Sequence, residues 1–246
     1  LRRDADDATA AFANPAGLVQ LERPEFSIVG DYLYREEAFS SASRPEIDNR
    51  NSVDSINLNY LSFSYPFALW NRNMVVSANF QRLYDFERDF EYQRSISGGV
   101  IGNETVTFDQ DGYLGAIGMA YALEITPRIS LGVTMNVWTD ALGIRNGWDE
   151  NVRTTSTINA INNPLIGLIP VDPPQVLDIQ TRDEYEDFTG INWNLGILWD
   201  INRYFTVGAI LKTPFWGDLD HRFVQTVRDE TGSLVSSTTI DESAEL

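Results

Sequence analysis

The chain has no cysteine and a single histidine, His221, in 246 residues. Without cysteine there is no disulfide framework and no thiolate metal site. A single histidine argues against an imidazole-based triad or zinc site, and a lone histidine reads as an ordinary surface residue. Basic residues are scarce: 18 Lys and Arg stand against 36 Asp and Glu, a net charge of −18. That balance excludes nucleic-acid binding, which needs a basic face to displace counterions. No apolar run approaches the roughly 18 residues of a membrane-spanning helix. A membrane β-barrel stays open, because its segments are individually weak signals. No signal peptide precedes Leu1-Arg2-Arg3-Asp4, so the chain reads as a fragment or processed form.

Catalytic signatures are missing too. There is no phosphate-binding glycine loop and no nucleophile elbow. Asp109-Gln110-Asp111-Gly112 lacks the closing ligands of a calcium loop and is expected to be a turn or bulge. Asp149-Glu150, Asp183-Glu184 and Glu186-Asp187 could supply a carboxylate pair for acid–base work, but acidic runs in or beside loops are ordinarily just solvated. The expectation is a protein that is not an enzyme and needs no cofactor or metal.

What the chain does have is alternation. From Val76 to Tyr92 the even positions are mostly apolar or aromatic and the odd positions mostly polar or acidic. Side chains alternate faces along a strand, so this stretch predicts one strand of roughly 55 Å, against under about 20 Å for a typical one. Two readings fit such reach: a long twisted hairpin in a soluble β-protein, or a membrane barrel whose tilted strands continue above the bilayer.

Further strands are predicted at Phe26 to Tyr34, Ser55 to Phe67, Tyr113 to Ile125, Ile129 to Val137 and Ile191 to Ile201, with a seventh from Phe205 past Trp216 and a weaker eighth after Gly232. In the second, the apolar phase slips by one residue after Tyr60, as a β-bulge produces. Connections near Ala68–Asn73, Thr126–Arg128 and Asn202–Tyr204 are short. Those near Glu36–Asp54, Gln93–Thr105 and Trp148–Glu184 are long and acidic. Strict alternation of short and long connections, with aromatic residues at strand ends, matches outer-membrane barrels. The fold expected is therefore all-β, an antiparallel up-and-down transmembrane barrel, possibly a partial one, of about seven or eight strands over 24–246.

Residues 1–23 differ, with an acidic start, an Ala-rich patch that could form a short helix, and Pro15 and Gly17 to stop it. Asp6-Asp7-Ala8-Thr9-Ala10-Ala11-Phe12-Ala13-Asn14-Pro15-Ala16-Gly17-Leu18, running into a first strand, resembles the FadL-type family of outer-membrane transporters. These carry long-chain fatty acids and, in some members, aromatic hydrocarbons. The resemblance implies that 1–23 is a hatch inside the barrel, with Asn14, Pro15 and Ala16 near a lumenal ligand site. It also implies that the strands present are part of a fourteen-stranded wall. Ligand would enter from outside and leave sideways through a gap at a kink in the third strand. Location would be the bacterial outer membrane, and the partners would be membrane lipid and a hydrophobic small molecule, with the protein a monomer. The alternative is a scaffold or secretion-associated barrel that binds a protein through its extracellular loops, since other barrels share an N-terminal Asn-Pro-Ala.

Two further sites follow from the residues. Leu165, Ile166, Leu168, Ile169 and Val171 are too apolar for a solvated loop. They are expected either to pack on the rim, as in a short helix, or to capture an apolar ligand. On the third strand, Arg82 falls on the apolar face and Leu83 on the polar one. A lipid-facing Arg would cost about 2–4 kcal/mol at the midplane. Either Arg82 snorkels to head groups, or the strand kinks between Asn79 and Leu83 and opens the wall. Pro214 is a second candidate break.

Overall fold

The computed structural model describes residues 9–40, 42, 47–214 and 216–245. Its strands are β1 (Glu25–Phe39), β2 (Asn49–Leu69), β3 (Arg72–Asp85), β4 (Arg88–Ile96), β5 (Val100–Thr126), β6 (Ile129–Trp138), β7 (Gly147–Asn163), β8 (Gly167–Asn202), β9 (Phe205–Lys212), β10 (Gly217–Asp229) and β11 (Leu234–Glu245). All belong to one antiparallel sheet. The pairs β3/β4, β6/β7 and β9/β10 are each one long strand with a break, so the chain runs up and down eight times. Among the described residues, the outer edges of β1 and β11 have no strand partner.

The low-numbered connections are as short as expected. Trp70 and Asn71 turn between β2 and β3 with φ of 51° and 55°. Two positive φ values make the tight hairpin turn whose twist matches its strands.

Two of the three stretches expected as long acidic loops are strand instead. Gln93–Thr105 continues β4 and β5 to a tip at 97–99, and Trp148–Glu184 forms β7 and β8 around a tip at 164–166. These segments are rich in Thr, Val and Ile, which suit a pleated surface. Some of their acidic residues are met by arginines on the neighbouring strand, as in Arg153 to Asp178 at 2.9 Å and Arg94 to Glu104 at 2.5 Å. Cross-strand neutralisation turns polar sequence into ladder. Asp109 to Gly112 likewise lies within β5.

One face of the sheet is apolar and bare. Trp193, Leu195, Ile197 and Trp199 of β8, Met119 of β5 and Leu131 of β6 are all exposed. The other face is polar and buried. Ser64, Ser77, Ala120, Thr134 and Asn194 form one register row across five strands, and all are buried. This reverses the usual preference of side chains.

The N-terminal segment covers that polar face. The helix predicted in the Ala-rich patch is α1 (Ala10–Ala13), and it ends at Asn14. The helix stops directly before Pro15, where Asn14 is extended, and Pro15–Gln20 then forms a separate 3-10 turn with proline at its start, where no donor is lost. Ala10, Ala11, Leu18 and Leu21 pack on Val75, Ala120 and Ala122, and Thr134 Oγ1 donates to the Ala11 carbonyl at 2.7 Å.

Glycines form the floor. A Cβ on Gly132 would lie 2.2 Å from the Pro15 carbonyl carbon, and one on Gly196 would lie 2.1 Å from Asn14 Oδ1. With those positions empty, Asn14 Nδ2 reaches the Ile197 and Ala209 carbonyls at 3.2 and 3.4 Å. Its Oδ1 accepts from the Ala16 amide at 3.1 Å and starts the turn. Gly196→Val is expected to unseat this segment. Overpacking of about 1–3 kcal/mol should appear as a lower unfolding midpoint and as faster proteolysis within residues 10–21.

Candidate functional site

Above the N-terminal segment, on the same covered face, lies a cavity of about 470 Å³. Its floor is Phe12. Its walls are the amides Gln81, Asn136, Asn192 and Asn194, with Leu83, Tyr84 and Trp138 on its apolar side and Lys212, Thr213 and Pro214 at the far side. The amides arrive in phase because period-two alternation puts Asn192 and Asn194 on one face of β8, with Asn136 opposite Asn192. Gln81 Nε2 donates to Asn136 Oδ1 at 3.2 Å, and Trp138 Nε1 donates to Asn192 Oδ1 at 3.0 Å.

Other polar atoms are left over. Gln81 Oε1, Asn194 Oδ1, both amide atoms of Asn79 and Ser62 Oγ are buried with no protein partner. Each such group costs about 1–3 kcal/mol unless water or a ligand satisfies it. Lys212, the only lysine of the chain, holds its ammonium 4.2 Å from the centre of the Phe12 ring. An ammonium, unmet amides and an aromatic wall suit a ligand with a small polar or anionic head on an apolar body.

The aromatic side extends away from the floor. Trp138 packs with Leu114, Ala116, Phe188 and Leu219. Beyond them Phe86, Trp148, Tyr185 and His221 form a file, with ring centroids 4.6, 4.4 and 4.5 Å apart. The Asp187 backbone, at φ 57°, shifts the phase of β8, so that Tyr185 and Phe188 share a face.

On the bare face, Leu61, Phe63, Ala78, Phe80, Ile117 and Ile144 line an apolar groove of about 370 Å³. Ile144 belongs to the excursion between β6 and β7. Leu61–Phe80 and Tyr60–Gln81 are the last two pairs of the β2–β3 ladder. Gln81 walls the cavity while Phe80 and Leu61 line the groove, so the two spaces lie back to back where that ladder ends.

The residues singled out from sequence fall in three places. Asn14, Pro15 and Ala16 sit on the glycine floor as anchors, and the N-terminal residue that walls the cavity is Phe12. Asn79 is buried on the covered face, and Leu83 lines the cavity. The β3–β5 register slips between Arg82 and Tyr84, so Leu83 is the extra residue and joins the apolar cluster. The third strand, expected to run unbroken to Tyr92, is interrupted at Phe86-Glu87.

Arg82 stays on the opposite face from Leu83 but is folded down. It lies 4.3 Å from the Tyr113 ring centre and pairs with Asp85 at 2.7 Å and Glu87 at 3.3 Å. The slip of phase in the second strand falls at Asn59, which has no partner between Val29–Tyr60 and Gly30–Leu58. Pro214 lies in the break between β9 and β10.

Leu165, Ile166, Leu168, Ile169 and Val171 are in neither a long loop nor a helix. They cap the long β7–β8 hairpin, with Leu165 and Ile166 in its turn and 91% and 73% exposed. Gln81, Asn136, Asn192, Asn194, Trp138 and Lys212 were not singled out from sequence. The signals were the Asn-x-Asn spacing at 192 and 194 and the uniqueness of Lys212.

The acidic doublets also lie in strands. Asp149 pairs with Glu184 and Glu150 with Asp183, interleaved with Arg145, Arg182 and Arg222. Among the described residues, no three His, Asp or Glu side chains are placed to hold a metal ion. His221 Nε2 meets Asp183 at 2.9 Å and its Nδ1 meets Glu242 at 3.1 Å, tying β8, β10 and β11 together.

The Asp183 hydrogen bond, helped by Glu242 and opposed by burial, holds the imidazole pKa above its ordinary value. The charged ring thus favours the fold. Its contribution is full below about pH 6.5, the unfolded value, and is lost as pH rises through the folded one. The unfolding midpoint should fall over that window, and His221→Gln should remove that step, measured by thermal melts across pH.

No family model, curated protein or solved structure matches this chain.

Proposed function

We propose that this chain is the hatch and eight strands of an outer-membrane barrel of the FadL type, and that it passes hydrophobic small molecules across the membrane without energy input. The observation that carries this is the pair of back-to-back spaces, a head-group cavity on the covered face and an apolar groove on the bare face, at the point where the wall between them stops being laddered.

Several features support the membrane setting. Outward residues on β8 are apolar from Ile191 to Ile201, a rise of about 25 Å at the usual strand tilt, the height of a barrel's lipid band. On β3, Arg72 and Arg82 bracket a run of the same length, which puts Arg82 at the edge of the band and removes the midplane cost. Unpaired edges on β1 and β11 call for further strands, since an open edge in lipid leaves backbone groups unsatisfied. The polar face then encloses a lumen.

The ligand class favoured is an amphiphile with an acidic head, such as a long-chain fatty acid, over a bare aromatic hydrocarbon. Lys212 and the unmet amides have no role toward a hydrocarbon. The exposed tip, Leu165, Ile166, Leu168, Ile169 and Val171, is the outer capture surface. A scaffold that binds a protein partner is the rival reading, and the same tip could serve it.

Uptake by cells of a labelled long-chain fatty acid and of a labelled aromatic hydrocarbon, with and without the full-length protein, tests the proposal. Faster entry of the fatty acid is expected, and equal entry of both with and without the protein overturns transport. Lys212→Met with Asn194→Leu should reduce fatty-acid binding roughly tenfold, the scale of one lost charge-assisted hydrogen bond, and leave hydrocarbon binding unchanged. Leu165→Asp with Ile169→Asp should slow uptake without changing the unfolding midpoint.

A further inference from the structure

Between β1 and β2, and between β3 and β5, the backbone ladders continue well above the Tyr60–Gln81 pair. Between β2 and the third strand the ladder stops there. Residues 49–58 of β2 pair only with β1, and Arg82, Tyr84 and Asp85 of β3 pair only with β5. Yet the seam is not empty. Asn57 Nδ2 donates to Asp85 Oδ2 at 3.1 Å, and Arg82 reaches the same oxygen at 2.7 Å. The Glu87 amide donates to the other oxygen of Asp85 at 3.2 Å. Higher up, Arg35 Nη1 donates to the Glu87 carbonyl at 3.1 Å, Arg88 Nε meets both Glu37 oxygens at 3.1 Å, and Asn49 Nδ2 donates to the Glu91 carbonyl.

We propose that this seam is a latch: side chains converging on Asp85 hold β2 against the β3–β4 break, and their release widens the sideways passage from the cavity. This rests on the transport reading above and adds its regulation.

Three observations carry it. First, the ties are side chain to side chain or side chain to backbone, so they part without breaking a strand, whereas a ladder parts only with the sheet. Second, Asp85 is shared. One carboxylate receives Asn57 from β2, Arg82 from β3 and the amide of the break itself, so its loss undoes the lowest tie and the shape of the break together. Third, the closed seam is imperfectly satisfied. Asp31 Oδ1 and Asn51 Nδ2, on the β1–β2 side, and Arg82 Nε, on the other, are buried without a protein partner. Opening would let water meet them, which offsets part of the loss of the ties. A seam of partly exposed ion pairs is also weakened by salt and opens at lower cost than the ladders around it.

The test uses the full-length protein in liposomes and a fluorescent long-chain fatty acid, with equilibrium binding and transfer into the bilayer measured separately. Asp85→Asn keeps the size of the side chain and removes the charge. It should transfer the ligand several-fold faster than the parent and lose most of the parent's salt dependence, with binding retained. The absence of cysteine makes a second variant clean. Asn57→Cys with Asp85→Cys should also transfer faster. A short, reducible thiol cross-linker across the pair should drop transfer well below the parent, and reduction should restore it. Transfer indifferent to cross-linking, with binding intact, overturns the latch and leaves the transport reading standing. A parent protein that neither binds nor transfers the ligand overturns both.

Discussion

Everything in this protein depends on an inverted sheet. Its apolar side chains face outward and its amides and hydroxyls are buried on the other face. A water-soluble sheet with one such face would bury the apolar side and solvate the polar one. Here the polar side is covered by the chain's own N-terminal segment, and covering it is possible only because small residues line it. Gly132 and Gly196 leave room for Asn14 and Pro15, and Ala120 and Ala122 leave room for Ala11 and Leu18. The N-terminal segment and its seat are complementary in volume, and Asn14 spends its amide on backbone carbonyls of the sheet.

The same inversion creates the site. A polar face too crowded for water everywhere leaves some amides unmet, and two of them, Gln81 and Asn194, wall the cavity where Phe12, Leu83 and Trp138 supply the apolar contact. Fully satisfied amides would make a rigid floor with nothing to offer a ligand. A cavity that pairs unmet polar groups with aromatic walls is destabilising when empty and stabilised when filled, which is the relation expected between a binding site and its fold. The irregularities fall where the cavity needs them. The extra residue at Leu83 turns an apolar side chain toward it, and the β2–β3 ladder ends beside it at Tyr60–Gln81.

The period-two pattern made the strands legible wherever one face is apolar and the other polar: Ile191 to Ile201, Ile129 to Val137 and Ala116 to Leu123 were all assigned with the right faces. The phase slips near Tyr60 and Leu83 were legible for the same reason, because one added residue swaps every later side chain. The upper strands were not. In Asn151-Val152-Arg153-Thr154-Thr155-Ser156 and its partners both faces are polar, so alternation carries no contrast and the segment reads as loop. The partners decide it, since Arg153 meets Asp178 only after the chain has turned at 164–166. The apolar tip at Leu165 to Val171 was found, but its place at the end of a long hairpin followed from the strands beneath it.

Sequence alone determined the strand phases, the identity of the two faces, the absence of disulfide and thiolate chemistry, and the separate character of the N-terminal segment, because each is a property of neighbouring residues or of composition. Only the tertiary structure decided which residues share the cavity. Phe12, Gln81, Trp138, Asn194 and Lys212 come from five different segments, and register across four ladders is what aligns them. It also decided that Arg82 and Asp85 face β2 across an unladdered seam. Hydrogen-bond register is a relation between strands far apart in the chain, and no local pattern encodes where one ladder stops while its neighbours continue.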